Sequence, residues 1–297
     1  MKLLTAFLLL FALIGPARAA DYSYRSILWP GAANSAVYAI NENRTFVGAL
    51  KEPSGAHRAI IGTAGSLALL GEGTPLASAN ESWAYTINHH GDIGGAYIDA
   101  AKVLHGYVLR ANGAFEIVDR PGFAGTTVYG INRHGSLIGL SYDASGGTHA
   151  YVRRGGQFES ADISGALQTY AYGINSFEQI VGEVVKTPDT NGYGYIQGPR
   201  GRHVLVTAPG SAPEQTYFLS INDRQDVLGG YTDVGGVAHA FLRDQDGYQE
   251  FTVPAEFGSV YTSAATINNR GDVVGYYFDA EGAARGFIAL RVDEAQQ

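Results

Sequence analysis

Cysteine is absent from this 297-residue chain, and methionine occurs once. Without cysteine there is no disulfide and no thiolate metal centre, so stability has to come from a large core. Positive charge is also scarce, with 20 Lys and Arg against 28 Asp and Glu and a net charge of −8. An acidic chain is a poor electrostatic match for nucleic acid or an anionic membrane surface. Long apolar runs are missing apart from residues 3–14, which are too few to span a bilayer comfortably. That run follows Lys2, is broken by Gly15 and Pro16, and leads to Ala17-Arg18-Ala19, the layout of a cleaved export signal. Residues 1–19 are therefore read as a signal peptide and 20–297 as the mature domain, secreted or periplasmic in a bacterial cell. The signal carries Lys2 and Arg18 and no acid, so the mature net charge is −10. No cysteine follows the cut, which excludes a lipid-anchored lipoprotein.

Glycine and tyrosine are plentiful, at 40 and 19 residues. Together with few charges they indicate many tight turns and stacked sheets. A repeat organises them. Ile-Asn pairs end at Asn41, Asn88, Asn132, Asn175, Asn222 and Asn268, spaced by 47, 44, 43, 47 and 46 residues. Seven residues after each Asn stands a glycine: Gly48, Gly95, Gly139, Gly182, Gly229 and Gly275. Eleven after, an acid occurs in five repeats (Glu52, Asp99, Asp143, Asp233 and Asp279), and Lys186 takes its place in the fourth.

Each period reads as four short strands. In the last, TSAATIN (262–268), DVVGYYFD (272–279) and ARGFIALR (284–291) are strands a, b and c. Earlier periods add a strand d after a glycine-bearing hairpin, as in RANGA (110–114) before FEIVD (115–119) and DQDGY (244–248) before EFTVP (250–254). A period near 45 with four strands has the size of a propeller blade. The expected fold is all-β, one six-bladed β-propeller of four-stranded antiparallel blades. The sixth period lacks strand d, and the unpaired apolar stretch YSYRSILWP (22–30) is expected to supply it and close the ring.

The repeated residues are first read as structural. Asn favours turns by bonding nearby backbone, and Gly91, Gly135 and Gly271 take the strained turn position. The mid-strand glycine is expected to let the neighbouring blade approach closely. The acid and a following cation flank the b–c loop, as Asp99 with His105, Asp143 with His149, Asp233 with His239, Glu52 with His57 and Asp279 with Arg285. Such pairs fix a hairpin, and one histidine per blade stands too far from the next to share an ion. His89, His90 and His134 in the a–b turns are expected to face solvent.

The tripeptide His239-Ala240-Phe241 follows this framework, with echoes at His149-Ala150-Tyr151, His105-Gly106-Tyr107 and Arg285-Gly286-Phe287. The pattern resembles the bacterial extracellular family named for its His-Ala-Phe (HAF) repeat, over essentially the whole mature chain. The resemblance implies export and repeat architecture, and no reaction.

There is no Ser-x-Asp-x-Gly-x-x-x-Trp box, Gly-x-Ser-x-Gly elbow, His-Glu-x-x-His or phosphate loop. DTNGYG (189–194) lacks the later acids of a calcium loop and is read as a turn. The variable d–a loops, 30–36, 71–82, 120–127, 208–216 and 254–263, form with the b–c loops one face around the pore. Trp29, Trp83, Tyr129, Tyr172, Tyr217 and Tyr261 lie near them, and aromatic platforms beside acids and amides suit sugars. The functional expectation is a non-enzymatic exported binding module, with a glycan or cell-surface polymer as ligand on Trp83, Tyr129, Tyr172, Tyr217 and Tyr261. It needs no cofactor, binds no nucleic acid, inserts in no membrane once cleaved, and acts as a monomer. One alternative is a hydrolase or lactonase with Ca²⁺ at the pore, drawing on Glu72, Glu81, Asp162, Glu214 and Glu256. Another is a protein-interaction scaffold, with a surface protein as partner.

Overall fold

The computed structural model describes residues 22–63, 65–188 and 192–292. The export signal read in residues 1–19 lies outside them, as do residues 189–191 of the DTNGYG stretch. Six antiparallel sheets of four strands succeed one another around an axis. Blade 1 holds β2 (Asn34–Ile40), β3 (Phe46–Lys51), β4 (His57–Gly62) and β5 (Leu67–Leu69). Blade 2 holds β6 (Glu81–Ile87), β7 (Ile93–Ile98), β8 (Leu104–Leu109) and β9 (Phe115–Val118). Blade 3 holds β10 (Gly125–Ile131), β11 (Leu137–Tyr142), β12 (Thr148–Arg154) and β13 (Gln157–Ser160). Blade 4 holds β14 (Gln168–Ile174), β15 (Ile180–Val185), β16 (Tyr193–Gln197) and β17 (His203–Val206). Blade 5 holds β18 (Ser211–Ile221), β19 (Val227–Asp233), β20 (Ala238–Asp244) and β21 (Gly247–Glu250). Blade 6 joins β22 (Tyr261–Ile267), β23 (Val273–Phe278) and β24 (Ala284–Arg291) to the N-terminal strand β1 (Tyr22–Ile27). β1 runs antiparallel to β24 from Tyr22 opposite Arg291 to Ile27 opposite Gly286, so the ring closes as expected. The chain is a six-bladed β-propeller.

Two boundaries differ from the expectation. The fourth strand of blade 5 is 247–250 rather than 250–254, because the hairpin tightens to Asp244 opposite Gly247. Most of the loop expected at 208–216 belongs to β18, whose pairing with β19 skips from Ser211 to Thr216.

The core lies between blades. Strands b and c are buried on both faces, and clusters such as Val37, Ile40 and Phe46 with Val274 and Ile288 join one blade to the next. The mid-strand glycines serve a different contact from the one expected. A Cβ on Gly95, Gly139 or Gly182 would overlap the carbonyl oxygen of Trp83, Thr127 or Tyr170, on strand a of the same blade. The other three repeat this geometry, because strand a bulges there and turns its carbonyl toward strand b. Close approach of the neighbouring blade falls instead on the small middle residue of the His-Ala-Phe position. A Cβ on Gly286 would meet Val37 of blade 1, and one on Gly194 would meet Phe218 of blade 5.

Candidate functional site

The innermost strands β2, β6, β10, β14, β18 and β22 surround a central cavity of about 320 Å³ that reaches the rim of the a–b turns. This volume falls at the lower end of the range for small-ligand pockets. Each inner strand shifts register three residues before its repeated Asn. The residues at these bulges are Tyr38, Tyr85, Tyr129, Tyr172, Leu219 and Ala265. Four adjacent blades thus bring tyrosines together, with ring centroids 5.4 Å apart for Tyr38–Tyr85, 4.7 Å for Tyr85–Tyr129 and 5.6 Å for Tyr129–Tyr172. Trp83 stacks behind Tyr85 at 6.5 Å and Tyr170 behind Tyr172 at 5.9 Å. Burial first holds these phenols protonated, with Tyr38 pushed up to about 12; neighbouring hydroxyls add to it, and at Tyr172 the Glu183 carboxyl comes ahead of them. They offer ring faces and hydroxyls.

The six asparagines close a circle at the turn end of the cavity. Each Nδ2 donates to the backbone carbonyl of the next: Asn41 to Asn88 at 3.3 Å, Asn88 to Asn132 at 3.3 Å, and Asn132 to Asn175 at 3.2 Å. Asn175 donates to Asn222 at 3.2 Å, Asn222 to Asn268 at 3.1 Å, and Asn268 back to Asn41 at 3.0 Å. Each Oδ1 accepts two backbone N–H groups of its own turn, as from His134 and Ser136 on Asn132. Beyond this circle, a rim of Glu42, His89, Arg133, Ser176, Asp223 and Asn269 lines the opening. Asn269 donates to both Glu42 and Asp223, and Ser176 to Asp223. His90 and His134 are exposed, as is His89, which lies 3.4 Å from Glu42.

The five aromatics expected on a loop face sit on the inner strands. Tyr129 and Tyr172 line the cavity; Trp83, Tyr217 and Tyr261 do not, and lie further along strand a toward the loop face. Their spacing in the sequence places them near loops, but the strands begin earlier than the loops suggest. Tyr38 and Tyr85 were not among the expected residues, although their position three before Asn was available as a signal.

The b–c histidines of blades 2, 3 and 5 each straddle two carboxylates. His239 Nε2 lies 3.2 Å from Asp233 and Nδ1 3.1 Å from Glu250. His105 stands likewise between Asp99 and Asp119, and His149 between Asp143 and Asp162. Hydrogen bonds from the loop backbone lead the effects that hold Asp99 and Asp233 below the usual carboxylate range. Blade 1 departs from the expected pairing: Glu52 takes Arg58, and His57 turns to Glu81 of blade 2 at 2.6 Å. Arg58, not His57, stands at the register position of His239, six residues after the acid, and gives Glu52 a permanently charged partner. Of the acids considered for calcium, Glu81 and Asp162 are held by histidines, Glu214 bonds Thr187 and Tyr193, and Glu72 and Glu256 are exposed. Among the described residues no three His, Cys, Asp or Glu side chains are grouped to hold a metal ion.

One residue stands apart. Glu183 on β15 faces Tyr170 across the strand pair. Burial alone pushes its carboxyl up to about 8. Its charge is felt by Tyr170, Tyr172 and Tyr217. The signal was legible: the residue after the repeated glycine is Ala49, Ala96, Leu140, Glu183, Gly230 or Tyr276, and only one of these is charged.

No family model and no curated protein matches the sequence. Solved structures do resemble the fold. AofleA from Arthrobotrys oligospora superposes with a TM-score of 0.55 at 13% identity, over 90% of this chain and 86% of that one. A gluconolactonase from Xanthomonas campestris gives 0.52 at 12%, over 93% and 94%. TolB from Acinetobacter baumannii gives 0.54 at 11%, over 87% of this chain, which spans 64% of that longer protein. At such identities the likeness is one of fold, and fold does not decide function.

Proposed function

We propose that the protein is an exported binding propeller whose ligand, a glycan or a piece of one, enters the central cavity and stacks on the tyrosine arc. The observation that supports this most is the arc itself. Four adjacent blades place Tyr38, Tyr85, Tyr129 and Tyr172 at one bulge position, where Leu219 and Ala265 show that the fold accepts smaller residues. Sugar C–H faces pack on such rings, and the phenol hydroxyls and rim amides supply hydrogen bonds. Export rests on the signal in residues 1–19, and membership of the HAF-repeat family on the motifs of the sequence; among the described residues no helix is long and apolar enough to cross a membrane.

The test is a thermal shift of the purified protein against mono- and oligosaccharides, EDTA and Ca²⁺. A ligand at 100 times its dissociation constant adds about 2.7 kcal/mol of stability. A saccharide-dependent shift is expected, reduced by Tyr129→Ala or Tyr172→Ala beyond the loss of intrinsic stability. A shift with Ca²⁺ and turnover of a sugar lactone would favour a hydrolase instead. No shift with any addition would favour a scaffold for another protein.

A further inference from the structure

We infer that the ligand of the channel carries a protonated amine, an amino sugar rather than a neutral one, and that Glu183 receives it. This rests on the channel reading above and narrows it.

The fold does not require a carboxyl at this place. In the other five blades the equivalent residue is Ala49, Ala96, Leu140, Gly230 or Tyr276, and those blades close equally well. Nor does the protein satisfy it: among the described residues Glu183 has neither a hydrogen bond nor an ion pair. The cation closest to it along the sequence, Lys186, lies instead over the Tyr193 ring at 5.8 Å. The groups around Glu183 are aromatic. Tyr170 and Tyr172 stand on β14, Tyr217 on β18, and on β16 its register partner is Gly194. Tyr172 lines the cavity and Glu183 does not; Tyr170, opposite Glu183 on the strand pair, stacks on Tyr172 at 5.9 Å and links the carboxyl to the cavity wall.

A half-buried carboxylate without a partner is costly, and the group stays protonated instead. Phenol rings attract a cation to their faces. An ammonium brought onto Tyr172 meets both, and the carboxyl then gives up its proton to solvent and pairs as the anion. The balance is one proton released for each ammonium bound. Structural need explains neither the missing partner nor the departure from the repeat; a cationic ligand explains both.

The test is calorimetry of the purified protein with glucosamine, N-acetylglucosamine and glucose at pH 7, in two buffers of different ionisation heat. Glucosamine is expected to bind about tenfold tighter or more, the effect of a charge-assisted hydrogen bond, and to release about one proton. Glu183→Gln should bring the three affinities together and abolish the proton release; its melting curve confirms folding. Equal affinities in the unaltered protein, binding without proton release, or a preference that survives in Glu183→Gln would overturn the inference while leaving the channel reading intact. Failure of all three sugars to bind would overturn the channel reading, and this inference with it.

Discussion

Three residues after each repeated Asn the backbone turns left-handed, and only half of these positions are glycine. Gly91, Gly135 and Gly271 have φ of 89°, 81° and 86°, while Arg44, Glu178 and Gln225 adopt 59°, 60° and 67°. Two of the three exceptions have side chains that join blades. Arg44 makes two bonds to the buried Asp272 of blade 6, and Glu178 accepts from Asn132, Ser136 and Arg154 of blade 3. Gln225 is exposed and shows no such bond. Gln225→Gly should therefore raise stability by up to about 1 kcal/mol, the relieved strain less the added freedom of the unfolded chain. Denaturant titration reads this directly. The opposite outcome is expected two turns earlier. Asn132 Nδ2 faces two acceptors, the Asn175 carbonyl and Glu178 Oε1. Asn132→Asp removes both donated bonds and sets a carboxylate against an anion, at a cost of about 3 kcal/mol or more. An unchanged midpoint would show that the circle of amides contributes little.

At the scale of the hairpin, the His-Ala-Phe tripeptide has one contact for each residue. The histidine bridges two carboxylates, the small residue admits the next blade, and the aromatic ring covers the mid-strand glycine of its own blade. The first contact is pH-sensitive. Burial opposes charge on His239, but Glu250 and Asp233 outweigh it and hold the imidazole above its ordinary 6.5. The folded state thus binds the proton more tightly than the unfolded chain. The stabilisation is fully present below pH 6.5 and is lost as pH rises through the raised value. Since the pair is partly solvent-screened, its size is at most about 1 kcal/mol. The melting-temperature difference between the unaltered protein and His239→Gln should therefore be largest near pH 6 and shrink toward pH 9. A pH-independent difference would mean that packing of His239 on Tyr231, 4.8 Å between ring centroids, carries the contact instead.

For the whole molecule, closure by β1 decides whether the ring holds. Ile27 is buried, and Tyr22 packs edge-on to Phe251 of blade 5 at 5.4 Å. Removing residues 22–27 uncovers these surfaces and leaves β24 as an open edge. The loss of apolar burial alone is on the order of 5 kcal/mol. The expected result is a large fall in melting temperature with association through the exposed edge, read by calorimetry and light scattering. A shortened protein that melts unchanged and monomeric would place the closing contact elsewhere.

The fold was almost wholly legible because a repeat is a statement made six times. Ile-Asn, the glycine at seven and the acid at eleven fix blade number, strand order and the absence of a strand d from the sixth period, since each offset follows from strand length and turn chemistry within one blade. Contacts between blades left weaker marks. That the mid-strand glycine accommodates a bulge in its own blade, and that each Asn also donates to the next, depends on backbone positions no periodicity specifies. The candidate site is the clearest case. Tyr38, Tyr85, Tyr129 and Tyr172 are some 45 residues apart in the chain and meet only because closure sets four bulges around one axis. Composition and repeat determined the propeller; the radial convergence of its inner strands, a property of the closed ring alone, decided which side chains share a cavity and left Glu183 among rings without a partner.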